Sequence, residues 1–282
     1  KYLLTANIRR DGSTRFGEGQ RFGIFPGFAG AWKMHEEAFL DNIEVISQLK
    51  LRAGWGKIGN DRIGRYEYLD LMNTNMGYSH GDTYTPGASA SKPSNPYLHW
   101  EESVTTNIGV DLGLFGGKLF LIADVYNKLT DGMLFNPPAI SISGVITPAA
   151  ANVSSMVNKG LELSASFRHR EGDFHYDFNG HISFNRMKVI EISKDVTYID
   201  DGSYANRRIQ DWSRTTADYP IGMFYGLVVD GLFQDDAEVA GAPFHSTNTA
   251  PGDHRYKDLN GDNMINDADK TIIGNPHPDF SY

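Results

Sequence analysis

The sequence predicts an all-β fold: a segment of an antiparallel transmembrane β-barrel, about seven to eight strands of a larger barrel, with long extracellular loops. Three observations predict this fold. Apolar and polar residues alternate with a period of two in most segments between turn signals. Most of these segments run for about ten residues, close to the roughly 9–11 that a tilted strand needs to cross a bilayer. Short turns and long links also alternate along the chain, as they do in outer-membrane barrels.

The alternation predicts each strand in turn. It is strongest over residues 174–185, where aromatic and aliphatic residues occupy one face and His, Asp, Asn and Ser the other. The strands predicted in this way cover residues 2–8, 22–32, 49–56, 104–114, 119–128, 161–168 and 174–185, with the start of an eighth at 279–282. Each strand carries one apolar row, so we expect one lipid-facing surface and one polar luminal surface.

The connections predict which rim of the barrel each end of a strand meets. Residues 115–118 and 170–173 are tight turns, whereas residues 57–97, 131–157 and 187–279 are long links. Short turns are periplasmic and long loops are external in such barrels. Trp32, Phe115, Phe167 and Phe174 fall near the short-turn rim and Trp55 and Trp100 near the long-loop rim, a distribution that predicts two aromatic girdles.

Composition narrows the function classes. The formal net charge is −9, and an acidic chain lacks the basic face that nucleic acid binding requires, so we expect no nucleic acid partner. There is no cysteine, which excludes disulfides and thiolate sites in this chain. The chain starts in a predicted strand without an initiator Met or a signal segment, and it ends as another strand begins. We therefore expect it to be an internal part of a longer protein.

The clearest chemical motif is DLNGDNMINDAD, which spans residues 258–269. Its spacing is that of a twelve-residue calcium loop of the EF-hand type. The predicted ligands, at positions 1, 3, 5, 7, 9 and 12, are Asp258, Asn260, Asp262, the backbone carbonyl of Met264, Asn266 and Asp269. Asn263 replaces the usual Gly at position 6, and Asp replaces Glu at position 12. The predicted cofactor is a structural Ca²⁺ that stiffens the long extracellular loop 187–279; the alternative is a solvated Asx-rich turn.

Aromatic residues in the long links are candidates for substrate binding. Exposed rings can stack on sugar faces. The candidates are Tyr66, Tyr78, Tyr84, Tyr204 and Trp212. The alternative is that these rings pack the loops together. No catalytic motif stands out, so the sequence predicts no catalytic residue and a protein that is not an enzyme.

Seven stretches resemble the SusC/RagA family of TonB-dependent transporters, in the order and spacing of the C-terminal part of the family barrel. They are RRDGSTRFG from Arg9, LKLRAGWGKIGN from Leu49, NPYLHWEESVTTNIGVDLGLF from Asn95, DVYNKLTDGML from Asp124, NKGLELS from Asn158, YPIGMFYGLVVDGLFQ from Tyr219 and PGDHRYKDLNGDNMINDADKTIIGNPHPDFSY from Pro251. The resemblance covers nearly the whole chain.

The resemblance implies an importer in the bacterial outer membrane that takes up oligosaccharides or peptides. It implies a 22-stranded barrel around an N-terminal plug, a SusD-like surface lipoprotein as a lid, and energy from an inner-membrane complex through TonB. Residues 1–282 are then a partial receptor barrel that lacks the plug, the TonB-contacting segment and the final strands. Outer-membrane lipid would contact the apolar face.

A second hypothesis stays open at this point. A soluble or surface-attached all-β protein, stabilised by calcium, that binds or degrades glycans would also show alternation and aromatic residues. The two hypotheses differ in what covers the apolar rows: lipid in a barrel, or a second layer of sheet in a sandwich.

Overall fold

The computed structural model describes residues 1–135, 150–192, 196–201 and 212–282. It divides into two compact units, the first formed by residues 1–196 with 279–282 and the second by residues 197–278. No helix in these ranges is both long and apolar enough to cross a membrane.

Nine strands lie in the described part of the first unit. Their bounds are β1 Tyr2–Gly12, β2 Phe22–Lys33, β3 Ile46–Asn60, β4 Leu71–His80, β5 Thr83–Lys92, β6 Glu101–Leu114, β7 Leu119–Phe135, β8 Ala151–His169 and β9 Tyr176–Glu191. A short 3₁₀ helix, Met34–Glu36, follows β2. Strands β4 and β5 pair only with each other, as a hairpin within the link between β3 and β6.

The other seven strands form one antiparallel sheet in the order β1-β2-β3-β6-β7-β8-β9. Every strand predicted from alternation is present, so the all-β, antiparallel fold is confirmed. The start of the eighth strand is also present, because the backbone of Ser281 exchanges two hydrogen bonds with Ser183 of β9, with N–O distances of 2.8 and 2.9 Å. Strands β1 and β9 are the edges of this sheet, which is therefore part of a barrel wall and not a closed barrel.

The strands are longer than predicted at their long-loop ends. Strand β7 continues to Phe135, β8 starts at Ala151 and β9 continues to Glu191. The sheet strands span 11 to 19 residues, so the shortest matches and the others exceed the roughly 9–11 residues of a bilayer crossing. A strand that extends beyond the length of a bilayer crossing is expected to have water on both faces there, so its period-two signal fades although pairing continues. At the opposite rim the prediction was too long, because β9 begins at Tyr176 and not at residue 174.

The register places all the apolar rows on one face of the sheet. Across β6 to β9, Val110, Ala123, Leu163 and Ile182 lie opposite one another in one row. Apolar side chains of this face are exposed: the exposed fraction is 88% for Leu4 and 58% for Val125. A sandwich would bury such rows against a second sheet. The uncovered face is what a lipid-facing wall requires.

Buried apolar residues gather at the long-loop end of β2 and β6. Phe16, Phe25, Leu98, Trp100 and Ala150 form this loop-end cluster. Trp100 is only 8% exposed, so the prediction that it belongs to an exposed girdle with Trp55 was wrong. The sequence near a strand does not show whether a tryptophan is exposed in a girdle or buried. The burial of Trp100 depends on links that fold over it.

The second unit is built from shorter elements. They are β10 Tyr198–Asp201, β11 Ser213–Thr216, β12 Met223–Gly226, β13 Val229–Leu232, α1 Asp236–Gly241, β14 His254–Tyr256 and β15 Thr271–Gly274. Strands β10, β11, β12 and β15 form one sheet, and β13 pairs with β14. Asp235 caps α1 by accepting the N–H of Glu238 at 2.9 Å. Most of the link predicted at residues 187–279 is therefore compact and partly regular; its extracellular position stays a prediction.

Candidate functional site

The polar face of the sheet carries a network of charged side chains. Arg52 on β3 donates to Asp111 Oδ1 on β6 and to Asp124 Oδ2 on β7, both at 2.9 Å. Lys50 Nζ lies 2.6 Å from Asp111 Oδ2. Two cations thus meet two carboxylates across three neighbouring strands. Because each of these four charges is paired, the network ties the three strands together.

Glycines allow these polar side chains to lie flat against the sheet. A Cβ atom added at Gly109 would overlap Asp124 Oδ1, and one added at Gly160 would overlap the ring of Tyr126. Each glycine is the cross-strand partner of the side chain that covers it. The side chains of the polar face therefore project little from the sheet at these positions. Such a face suits a barrel wall that leaves room for a plug or a solute.

The loop-end cluster fixes several links to one another. The Trp100 ring centroid lies 5.4 Å from that of Phe16 in the β1–β2 link and 5.3 Å from that of Phe25. The Trp100 indole N–H donates to the Arg21 carbonyl at 3.2 Å. Asn95 Nδ2 donates to the Ala150 carbonyl at 2.9 Å, which joins the links before β6 and before β8. This rim of the sheet is a packed structure.

The predicted substrate-binding aromatic residues of the β4–β5 hairpin are not brought together. Tyr78 lies opposite Thr85 and Tyr84 opposite Ser79, so the two rings project from opposite faces of the β4–β5 hairpin. Tyr66 is exposed in the link before β4. Trp212 belongs to the second unit, where its ring lies 6.2 Å from that of Phe224. Tyr204 lies outside the described residues.

An arginine stack in the second unit was missed by sequence reasoning. Arg214 Cζ lies 3.7 Å from the ring centroid of Tyr198 and 3.6 Å from that of Tyr225. The same guanidinium donates to both carboxylate oxygens of Asp200, at 2.6 and 2.8 Å. A guanidinium held by two rings and a bidentate carboxylate stabilises the small sheet. The residues are scattered along the chain, so no local spacing indicates the stack.

The loop at residues 258–269 is held by Asx hydrogen bonds. The Asp258 carboxylate accepts the N–H groups of Gly261 at 2.6 Å and Asn263 at 2.8 Å. Asp262 Oδ1 accepts the N–H of Met264 at 2.8 Å. Asn263 has a φ of 62°, so it does adopt the left-handed turn that the loop needs at position 6. These bonds are those of the Asx-turn alternative.

Asp269 is the buried anchor of this loop. Its carboxylate is fully buried and accepts the N–H groups of Asn266 and Leu259, each at 2.9 Å. The hydrogen bond from Asn266, with that from Leu259, lowers the pKa of Asp269 below its ordinary value, although burial acts in the opposite direction. The ionised Asp269 therefore stabilises the folded loop fully at a pH above the ordinary pKa of aspartate. This stabilisation is lost as the pH falls through the lowered pKa of Asp269.

The predicted metal ligands are only partly assembled. Asn266 Oδ1 accepts the N–H of Ala268 at 2.8 Å and caps a 3₁₀ turn, Asp267–Asp269. Across the ranges that the structure describes, no three or more His, Cys, Asp or Glu side chains are gathered as a metal site requires. The calcium site therefore stays a prediction.

Long antiparallel strands, an exposed apolar face and a paired, polar opposite face define the wall of an outer-membrane β-barrel. The comparisons with known proteins lead to the same class. Residues 1–275 match the family model described as TonB dependent receptor-like, beta-barrel. The chain belongs to this family.

The relatives with similar sequences include two TonB-dependent receptors. TonB-dependent receptor P3 of Formosa agariphila is 33% identical over 285 residues, which cover 100% of this chain and 28% of the receptor. TonB-dependent receptor SusC of Bacteroides thetaiotaomicron is 31% identical and is matched over 99% of this chain and 27% of its own length. The chain thus spans somewhat more than a quarter of these relatives.

Solved structures share this fold. The RagAB peptide importer in its closed-closed state superposes with a TM-score of 0.77 at 21% identity, over 99% of this chain and 29% of that chain. The predicted resemblance to the SusC/RagA group and the bacterial outer membrane location are confirmed. The family is one of transport receptors and not of enzymes.

Proposed function

We propose that the full-length protein is a TonB-dependent importer of oligosaccharides or peptides, and that this chain is a section of its barrel wall. The single observation that carries the proposal is the seven-stranded sheet with one uncovered apolar face and one polar face. A soluble glycan-binding protein would have to cover the apolar rows, and their side chains are exposed. Family membership supports the same conclusion.

The proposed substrate class is supported by the group to which the chain is similar. The SusC/RagA resemblance implies oligosaccharides or peptides, and the structural relative is described as a peptide importer. Tyr66, Tyr78, Tyr84, Tyr204 and Trp212 are proposed to contact the substrate. The exposure of the four described rings supports this role, since an exposed ring can stack on a sugar or a side chain. Tyr78 and Tyr84 would contact different parts of it.

The partners are proposed on the same grounds. A SusD-like surface lipoprotein would close the external side, where the long links lie. The TonB complex would act on an N-terminal part of the full-length protein. Outer-membrane lipid would cover the apolar face, and no nucleic acid partner is proposed because the chain is acidic.

The proposal is tested by deleting the gene and measuring growth on oligosaccharide or peptide mixtures as the sole nutrient. We expect growth on at least one mixture to be lost and to be restored by the full-length gene. The full-length gene should not restore growth in a deletion strain whose TonB is inactive. Two results together would contradict the proposal: unchanged growth of the deletion strain on every mixture, and recovery of the protein from the wild-type strain in the soluble fraction.

Calcium binding at residues 258–269 is proposed as a structural role for the second unit. Asp258, Asn260, Asp262, Asn266 and Asp269, with the Met264 carbonyl, would supply the oxygen ligands. We expect calcium to raise the protease resistance of residues 187–279 in the full-length protein relative to chelator. Equal digestion with calcium and with chelator would reject the site.

Asp262→Asn separates calcium binding from the Asx turn. Asparagine keeps an oxygen that can accept the Met264 N–H, so the turn should survive, but it removes one of the ligand charges that strengthen calcium binding. We expect the variant to match the wild type in chelator and to need a higher calcium concentration for the same protection.

A further inference from the structure

The ring of Tyr126 lies flat on the polar face of the sheet, near the middle of β7. The cross-strand partner of Tyr126 on β8 is Gly160. A Cβ atom added at Gly160 would overlap the Cζ, Cε1 and Oη atoms of Tyr126. The ring therefore covers the backbone of β8 with one face and directs the other face away from the sheet, and the residue is half-buried. Such a ring is a flat apolar surface on an otherwise polar wall.

Three polar side chains surround the position of this ring over Gly160. Asn158 and Glu162 lie two residues before and two residues after Gly160 on β8, and so on the same face of the strand. Asn185 on β9 is the other cross-strand partner of Gly160. The side chains of Glu162 and Asn185 are exposed. An amide donates and accepts hydrogen bonds and a carboxylate accepts them, so these groups can bind hydroxyl groups on three sides of the ring.

Asn158 supplies an independent observation. Its Oδ1 atom is buried and has no hydrogen-bond donor within the part of the chain that the structure describes. Buried acceptors are normally paired, so water or a ligand hydroxyl would supply the missing donor. Asn158 lies about 7 Å from Gly160 along β8, and a ligand that covers the Tyr126 ring would place its edge beside this amide.

A pyranose unit combines the two features that such a site binds. One side of the sugar ring presents C–H groups, which pack on the face of an aromatic ring, and its edge carries hydroxyl groups. A peptide has no such repeated unit, because its side chains differ from residue to residue and its backbone offers only one N–H and one C=O group per residue. An aromatic face bordered by two amides and a carboxylate therefore favours a sugar over a peptide.

We propose that the Tyr126 ring and the side chains around it form a sugar-binding subsite on the luminal wall, and that oligosaccharides are the substrate class of the full-length protein. The C–H face of one sugar unit stacks on Tyr126, and Asn158, Glu162 and Asn185 bind its hydroxyl groups. The subsite is separate from the aromatic residues proposed above to contact the substrate. The inference rests on the proposed function, because it requires the polar face to line the lumen of an importer.

The test measures uptake by the deletion strain carrying full-length variants. The probe is the oligosaccharide mixture of the growth experiment, labelled with tritium, and the readout is the concentration that gives half-maximal uptake rate, which does not depend on the amount of protein. We expect Tyr126→Ala to raise this concentration about fivefold, a ratio typical of one lost aromatic contact. Tyr126→Leu keeps apolar bulk without an aromatic face and should match Tyr126→Ala, whereas Tyr126→Phe should match the wild type.

Gly160→Ala tests the orientation of the ring. The added methyl group takes the space under Tyr126, so the ring must tilt away from the wall. We expect Gly160→Ala to raise the half-maximal concentration as Tyr126→Ala does, and the double variant to show no further increase because no ring is left to displace. The matched controls are Gly180→Ala, where an added Cβ has no atom within 4 Å, and Phe120→Ala, on the polar face of β7 nearer the short turn. Both should match the wild type.

Three results would overturn the inference while the proposed function stands. The first is a deletion strain that loses growth on the peptide mixture alone. The second is an unchanged half-maximal concentration in Tyr126→Ala, and the third is equal behaviour of Tyr126→Leu and Tyr126→Phe, which would give the ring a packing role only. Heat-modifiable migration on gels is recorded for every variant to establish that the barrel is folded. If the deletion strain grows unchanged on every mixture and the protein is soluble, the proposed function fails first.

Discussion

Leu163→Arg is expected to prevent the full-length protein from accumulating in the outer membrane. Leu163 projects from β8 on the apolar face, in the row with Ala123 and Ile182. It lies four residues from Phe167, about 13 Å along the strand, and so near the middle of the roughly 25 Å apolar band of a tilted strand. An arginine at the midplane of such a barrel costs about 2–4 kcal/mol.

Ser164→Arg is the matched control for this prediction. Ser164 is the next residue on β8 and projects from the polar face, opposite Ile122 and His181. We expect it to leave the amount and the heat-modifiable migration of the outer-membrane protein close to those of the wild type. A soluble protein would tolerate arginine at an exposed leucine, so equal behaviour of the two variants would contradict the lipid-facing assignment.

Trp100→Ala is expected to destabilise the packing of the long links at the long-loop rim of the sheet. Trp100 packs between Phe16 and Phe25 and donates a hydrogen bond to the Arg21 carbonyl. Truncation of a buried tryptophan costs about 3–5 kcal/mol. In hydrogen exchange of the full-length protein, we expect the protection of residues 13–21 and 95–100 to fall by about a hundredfold or more.

Trp55→Ala is the corresponding control. Trp55 lies on the apolar face, where its ring stacks on Phe28 with a centroid distance of 5.9 Å. Removing it deletes an aromatic pair worth about 0.5–1.5 kcal/mol and should leave exchange in the links unchanged. If both tryptophans had the same effect on the links, Trp100 would not be the centre of the loop-end cluster.

The sequence alone predicts the part of the fold that depends on a repeated local pattern. Residues 161–168 and 174–185 alternate between apolar and polar residues, and the two strands pair where the pattern indicates. The pattern is absent from other paired segments. The first ten residues of β8, Ala151 to Gly160, and the last residues of β7 are paired, yet they show little alternation, as expected of strand ends that extend beyond the length of a bilayer crossing.

The parts that sequence reasoning missed depend on contacts between distant residues. Arg52 and Asp124 are 72 positions apart and meet only because β6 lies between β3 and β7. The burial of Trp100 depends on Phe16, far from it in the chain. Tyr78 and Tyr84 are close in sequence, but the register of their hairpin turns them to opposite faces. None of these relations has a local signal.

The central claim is that lipid covers the apolar face, and it is tested most directly by single-cysteine labelling across residues 161–165. The chain itself contains no cysteine, and any cysteine elsewhere in the full-length protein is first replaced by serine, so each label reports one position. The full-length protein is placed in nanodiscs, and the fluorescence of each label is quenched with brominated lipid. We expect strong quenching at positions 161, 163 and 165 and weak quenching at 162 and 164. Equal quenching at all five positions, or none, would contradict the account.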